Sequence, residues 1–300
     1  MSGQVQIFKL FPKHIMLKSH AFELLNCIRG NTRMMVGSGL IFFLFLVAIF
    51  APFVAPNDPI EQHRGHYLQP PSWQYPFGTD DLGRCIFSRL VYGTQISLLI
   101  SVAVVGTTAT IGTSIGLISG FAGGGIDEAI MRIVDILLAF PGLVLALVIA
   151  GLLGPGMFSV ILALAIVGWT GYARVVRGCV LAEKERGFVE ATRVLGGSKY
   201  YIMIRHIMPG VLAPVVIMAA LGMGGTILSA SALGFLGLGL QPPAPEWGSM
   251  LNGGRTFLQL APYCMIFPGL AIMLTVLAFN LLGDGLRDIM DPWKKKRLEI

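Results

Sequence analysis

Charge is scarce in this chain. Asp, Glu, Lys and Arg make up 13% of its 300 residues, about half the roughly 25% typical of a soluble domain. So few charges cannot coat the two globular cores that this length would otherwise suggest. They suffice to cap the ends of bilayer spans. A soluble enzyme, a disordered chain and a nucleic-acid module are all poor fits. The excess of 22 basic over 16 acidic residues therefore reads as orientation and not as affinity for nucleic acid. Cysteine is equally rare. Cys27, Cys85, Cys179 and Cys264 form no CxxC and no metal-ligand spacing, and with only Cys85 expected in a long external loop no disulfide framework is expected. The chain contains no Gly-Lys pair, so it has no P-loop with which to hold ATP. A secretory signal is missing too. The first apolar run begins near Met34 and lacks a small-residue cleavage site, so it is expected to remain as an anchor.

Apolar residues are abundant at 54%, alongside 38 glycines. A span needs about 20 mostly apolar residues. Met34–Val54 supplies one, and the 37 uncharged residues between Arg89 and Asp127 supply a long helix centred on Ser97–Phe121. Ile136 to Ala173 is uncharged for 38 residues and is broken by Gly154-Pro155-Gly156, which predicts a tight turn between two helices. Pro209–Leu240 and Pro262–Leu282 give the last two. The fold expected is all-α, with six transmembrane helices. Its organisation is a cytoplasmic segment over 1–33, a first span over 34–56 and an external loop over 57–94. A five-helix core over 95–283 follows, with an inner loop at 174–208, and a basic tail over 284–300.

The two sides of this bundle differ in charge. Residues 1–36, 122–135, 173–208 and 283–300 carry 18 of the 22 Lys and Arg, and the opposite loops carry 4. The positive-inside tendency puts the larger set in the cytoplasm, with both termini. The tail Lys294-Lys295-Lys296-Arg297 then meets an anionic leaflet. No ionisable residue is expected at mid-membrane. Arg132 and Asp135 lie at the mouth of the third span and Arg174 at the foot of the fourth. A proton- or ion-coupled carrier is expected to place such a group within the bilayer, although coupling through backbone carbonyls stays open.

Two motifs weaken on inspection. Gly112-Thr113-Ser114-Ile115-Gly116 matches the G-x-S-x-G nucleophile pattern. The five histidines, at 14, 20, 63, 66 and 206, all fall outside the spans, so Ser114 lacks a base. Gly112, Gly116, Gly120 and Gly124 recur every four residues, the spacing of a small-residue face that lets helices approach closely. His63-x-x-His66 lacks a third ligand nearby, and no metal site is expected.

The inner loop from Arg174 to Met208 holds 10 of the 38 charges. Glu183–Leu195 is predicted as a helix, with an apolar stripe at Phe188, Ala191 and Leu195. Gly196-Gly197 supplies the left-handed stop, Ser198 the cap of a short helix over Lys199–Ile207, and Pro209 the first turn of the next span. The product is a finger projecting from the membrane, suited to docking, or else a plain connector.

At these residues the chain resembles a known family. Glu190-Ala191-Thr192, then Gly196 and Pro209, are similar to the E-A-A-x-x-x-G signature of membrane subunits of ATP-binding-cassette importers. Phe77-Gly78-Thr79-Asp80-Asp81-Leu82-Gly83-Arg84 with Ser88-Arg89, Ala244-Pro245-Glu246-Trp247-Gly248, and Ala278 to Asp288 followed by Asp291-Pro292 narrow the likeness. It is to the dipeptide/oligopeptide/nickel permease family, C-type subunit, over residues 35 to 293. Cys85 departs from the family's usual Asp, and His206 and Met208 from its usual Ile and Leu. The resemblance implies a type I importer permease fold in the bacterial inner membrane and no catalysis by this chain. A sister permease, two cytoplasmic ATPases that use ATP and Mg, and an external solute-binding protein would be its partners. The chain itself would bind no cofactor. By the same resemblance Glu190, Ala191, Gly196 and Gly197 would couple to an ATPase. Asp80, Asp81, Arg84, Arg89, Glu246 and Trp247 would face the binding protein or an outer gate. Structural roles stand beside these, with Asp80 or Asp81 capping a helix and Trp247 anchoring at the interface. An autonomous channel or ion-coupled carrier is the alternative function, and an intramembrane hydrolase resting on Ser114 a third. The solute is left open among dipeptides, longer peptides, glutathione-like peptides, nickel complexes and haem.

Overall fold

A computed structural model describes residues 31–290. The basic tail at 294–297, Cys27, His14 and His20 lie outside the described residues. Within them the chain is helical, with no strand and one isolated antiparallel bridge, Thr79 to Cys85.

Helix α1 (Thr32–Ile49) starts at Asn31, whose side chain accepts hydrogen bonds from the Arg33 and Met34 amides. Pro52 cannot donate to a continuing helix, so the expected span to Val54 breaks at Phe50 into a short turn, α2 (Ala51–Val54). Helix α3 (Ile86–Ala122) has 37 residues, about 55 Å at 1.5 Å per residue. It starts eleven residues before Ser97, and its first turn, Ile86 to Arg89, stands outside the uncharged stretch. Gly123, at φ +66°, stops it.

The third span departs from the sequence reading. Residues 122–135 were expected as a connecting loop. They instead form most of α4 (Gly124–Leu138), which meets α5 (Gly142–Leu153) at 87°. Pro141 causes the corner, since it has no N–H to donate and disfavours helical geometry in Phe140. The Gly154-Pro155-Gly156 turn then leads into α6 (Met157–Lys184). Among the described residues five helices are long and apolar enough to cross a bilayer, and α4–α5 taken as one bent span makes six.

The finger also differs in detail. Instead of one helix over Glu183–Leu195, α6 runs on to Lys184 and α7 (Gly187–Val194) is separate, because Arg186 adopts an extended conformation at ψ 137°. After α8 (Lys199–Ile202) comes a π-helical turn (Met203–Ile207), closed by the Met208 amide donating to the Met203 carbonyl. It leads directly into α9 (Met208–Phe235). The wider turn sits where Pro209 offers no N–H to the preceding carbonyls. The external segment after α9 contains an unexpected helix, α10 (Trp247–Gly254), before α11 (Tyr263–Met290).

The most extensive helix contact is between α3 and α6. A Cβ on Gly112 would lie 2.5 Å from the Trp169 carbonyl oxygen, one on Gly116 2.6 Å from that of Ala173, and one on Gly120 2.8 Å from Val180 Cβ. These three glycines therefore bring the two backbones together. Gly124 does not share the face, since it opens α4 with nothing nearby. Ser114 is not in the seam either. It is exposed, and its hydroxyl donates to the Thr110 carbonyl at 2.8 Å.

Gly116→Leu should consequently open the α3–α6 seam, at more than the ~1–3 kcal/mol typical of overpacking because backbone atoms stand in the way. Ser114→Ala should stay within about 0.5 kcal/mol. Thermal unfolding of the detergent-solubilised variants checks both, and equal melting temperatures would refute the seam's role.

Candidate functional site

Three groups of polar or exposed residues stand out at the two ends of the bundle. The first is the finger. Its base is apolar and anchored, with Val189 fully buried against Val180, Ile202, Ile207 and Val211. Glu183, also buried, accepts from the Arg186 guanidinium at 2.9 Å, in space left by Gly210, where a Cβ would lie 2.7 Å from the carboxylate. The helix end is a Schellman closure. The Gly197 amide donates to the Thr192 carbonyl (2.9 Å) and the Gly196 amide to that of Arg193 (3.1 Å), with Gly196 at φ +87°. Ser198 caps α8 by accepting from the Tyr201 amide. Beyond this scaffold the tip is bare. Glu190, Ala191 and Gly196 are exposed, and Val194 and Leu195 keep 81% and 87% of their surface. Two large aliphatic side chains so exposed on a charged segment outside the spans mark a contact surface.

The second group ties α4 to its neighbours at the same end. Asp127 takes a bidentate pair from Arg177 (3.0 and 2.6 Å) and a hydrogen bond from Ser119. Asp135 pairs with Arg174. Sequence reasoning singled out Asp135 and Arg174 but missed Asp127 and Arg177. The signal was available. Asp127 and Asp135 are eight apart and Arg174 and Arg177 three apart, which in each case places them on one helix face.

The third group is at the opposite end. Asp80 does not cap a helix. One carboxylate oxygen accepts from the Leu82 and Arg84 amides (3.0 and 2.9 Å) and the other from Arg84 Nε at 2.7 Å. Arg89 is buried, 3.6 Å from Asp80, and donates to the Pro59 and Pro243 carbonyls. Asp81 is half-exposed, and burial together with the Asp80 charge raises its pKa. A cavity of about 150 Å³ separates these residues from Ser249, Met250 and Gly253 on α10. Trp247 is fully buried, its indole N–H donating to the Leu90 carbonyl at 3.1 Å, so it is a core anchor and not an interfacial one. Glu246 caps α10 by accepting from the Gly248 and Ser249 amides (2.7 and 2.8 Å). Burial raises its pKa against the opposing pull of those amides. The six residues thus form one interlocked cap joining the loop before α3 to the loop before α10. His63 and His66 sit in that first loop with ring centroids 6.4 Å apart, around Tyr75. Among the described residues no three His, Cys, Asp or Glu side chains are grouped to hold a metal.

An all-helical bundle of this kind, with five or six membrane-length apolar helices among the described residues, a scaffolded finger at one end and a locked cap at the other, defines a multi-pass membrane protein. Residues 112–296 match the family model described as binding-protein-dependent transport system inner membrane component, and residues 28–71 that of the N-terminal TM domain of oligopeptide transport permease C. The chain is 45% identical over 273 residues to the dipeptide transport system permease protein of Alkalihalophilus pseudofirmus, covering 91% of this chain and 90% of that one. It is 48% identical over 259 residues to the glutathione transport system permease protein of Escherichia coli O157:H7, covering 86% of each. A chain of the MetNI methionine ABC transporter, in inward-facing form, shares the fold at a TM-score of 0.55 and 19% identity, over 68% of this chain and 97% of that one. The chain belongs to the binding-protein-dependent transport system inner membrane component family, as an ABC importer permease that is itself non-catalytic.

Glu246→Ala should destabilise the cap by about 0.5–2 kcal/mol through loss of the α10 N-cap, and Glu246→Gln by less. Limited proteolysis of the 240–262 segment reads this, and equal resistance in wild type and Glu246→Ala would refute the capping role.

Proposed function

We propose that this chain pairs with a related permease subunit to import short peptides or peptide-like solutes delivered by an external binding protein. Two cytoplasmic ATPases, using ATP and Mg, drive the pair through the finger, and this chain holds no cofactor of its own. The observation that carries the reading is the finger. Its base is packed and its helix end closed, yet Val194 and Leu195 at its tip are bare. Such a rigid element with an unsatisfied apolar tip transmits a push from a partner to the helices behind it. Glu190, Ala191, Gly196 and Gly197 form or shape the surface that enters the ATPase. The cap built on Asp80, Arg84, Arg89, Glu246 and Trp247 lies on the external side, with Asp81 at its rim towards the binding protein. The relatives named for dipeptide and glutathione transport support the solute class.

The same reading fixes orientation, with the finger and both termini cytoplasmic in accord with the 18-to-4 distribution of basic residues. Cysteine placed at Trp73, fully exposed in the 57–94 loop, should react with an impermeant thiol reagent in intact cells. Cysteine at Glu185 should react only after permeabilisation, and the reverse pattern would overturn the proposal.

Gly196→Val forces a β-branched residue into a left-handed conformation, at roughly 1–2 kcal/mol, and reshapes the tip. Glu190→Lys reverses an exposed charge. Both variants should reach the membrane in normal amount while solute uptake falls at least about tenfold, with loss of ATPase co-purification or of its stimulation by loaded binding protein. Normal uptake in both would reduce the finger to a connector.

A further inference from the structure

The bundle carries a half-open cavity that neither the finger nor the cap explains. It measures about 330 Å³ and lies between α3, α6, α9 and the start of α5, within the range of roughly 300–1,000 Å³ that small-molecule sites occupy. Its position is near the middle of the bundle. Tyr172 is the sixteenth of the 28 residues of α6, and Thr226 the nineteenth of the 28 of α9. On α9, Gly222, Gly225, Thr226 and Ser229 line it. Their spacing of three, four and seven residues makes them a single helix face. Thr108 on α3 and Tyr172 on α6 bring the hydroxyls to four, set in a mainly aliphatic wall that includes Val104, Val105 and Val167. Tyr172 is 6% exposed, and its hydroxyl makes no hydrogen bond of ordinary geometry, with the Thr108 hydroxyl beside it already donating to the Val105 carbonyl. A Cβ on Gly222 would lie 3.1 Å from that hydroxyl, so the glycine keeps the approach to it open.

Hydrocarbon cannot satisfy such a hydroxyl, and buried polar groups ordinarily find partners. No carboxylate, amine, guanidinium or imidazole is among the residues that line the cavity. A solute there meets hydroxyl donors and acceptors and no fixed charge. Peptide groups suit this wall, since each offers one carbonyl acceptor and one N–H donor whatever the side chains are. A bare divalent transition-metal cation does not suit it, because it lacks the imidazole, thiolate and carboxylate ligands such an ion takes.

We propose that this cavity is the chain's half of the solute path, and that it holds a short peptide by neutral hydrogen bonds, with the Tyr172 hydroxyl donating to a peptide carbonyl. The inference rests on the importer function proposed above and adds a place of contact and a recognition chemistry. Weak, uncharged contacts fit passage, because they let a solute leave as readily as it enters.

The test uses the complete transporter, with both permeases, the ATPases and the binding protein, in a background free of native cysteines. Thr226→Cys, Ser229→Cys and, as a lipid-facing control, Phe42→Cys (65% exposed on α1) are treated with an impermeant charged thiol reagent with and without ATP. Cysteines at 226 and 229 should react at least about tenfold faster than the one at 42 in one nucleotide state, since only they would meet water. Rates as slow as the control in every state would overturn the path, even if labelled dialanine is imported and the importer reading stands. Reaction at 226 and 229 in a transporter that carries no dialanine would support the path and remove the peptide reading instead. Tyr172→Phe, which deletes one oxygen, should lower dialanine uptake by about tenfold, with binding-protein-stimulated ATPase activity within about twofold of wild type. Unchanged uptake would overturn Tyr172 as the donor.

Discussion

Within a bilayer the backbone must satisfy its own polar groups, so the long spans are helices and their arrangement depends on how closely those helices approach. In this chain the most extensive close approach is the α3–α6 seam at Gly112, Gly116 and Gly120, where even a methyl group would meet the Trp169 or Ala173 carbonyl or the Val180 side chain. The seam positions the other parts. It turns Tyr172 towards the half-open cavity. It also brings Ser119 at the foot of α3 and Arg177 on α6 to the same Asp127. Finally it carries α6 out to Glu183, which receives Arg186 at the root of the finger.

Polar interactions then act at the ends, where water and headgroups make them affordable. The Arg177–Asp127 pair is bidentate, with Arg177 35% and Asp127 13% exposed, so solvent screens it in part and it contributes on the order of 1 kcal/mol. The Arg132–Glu128 pair on the same helix is 70% and 76% exposed and contributes little. Helix α4 is thus held along one face while its other face stays free. At the far end Asp80 gathers two amides and Arg84, while Arg89 reaches across to the Pro59 and Pro243 carbonyls. Loops far apart in sequence become one lid over α3 and α10.

The large features were legible in the sequence because each rests on a local cause. Apolar length marked the spans, the four-residue recurrence of Gly112 to Gly120 marked a packing face, and Gly196-Gly197-Ser198 marked a helix stop followed by a cap. The misreadings share a different cause. The loop at 122–135 was judged by its charges, but Asp127, Arg132 and Asp135 lie on an amphipathic helix whose partners, Arg177 and Arg174, are about 40 to 50 residues away. Trp247 stays open between an outer-gate role and an interfacial anchor in the sequence, because its partner, the Leu90 carbonyl, is 157 residues distant. Spacing marks each of these helix faces, but it does not say which distant face it pairs with. The same holds for the Tyr172 cavity, which exists only where the faces of α3, α6 and α9 meet.

The route from finger to cavity has no flexible loop in it. From Lys199 to Phe235 the chain is one helical run of 37 residues, interrupted in its hydrogen bonding by the π turn at Met203–Ile207 and by Pro214 inside α9. Ile202 and Ile207, on either side of that turn, are buried against Val180 and Val211, so the turn is clamped and does not act as a free joint. A displacement of the tip at Leu195 and Tyr200 must therefore move α9 bodily, rework the π turn or bend the helix at Pro214. Moving α9 carries Gly222, Gly225, Thr226 and Ser229 with it, since they share one face of a rigid cylinder. Interdigitated side chains resist gradual sliding and favour discrete positions. Under the proposed function, a partner acting on the finger would thus reshape the cavity wall about 40 Å further along the run at 1.5 Å per residue, by packing alone and without a charge crossing the membrane.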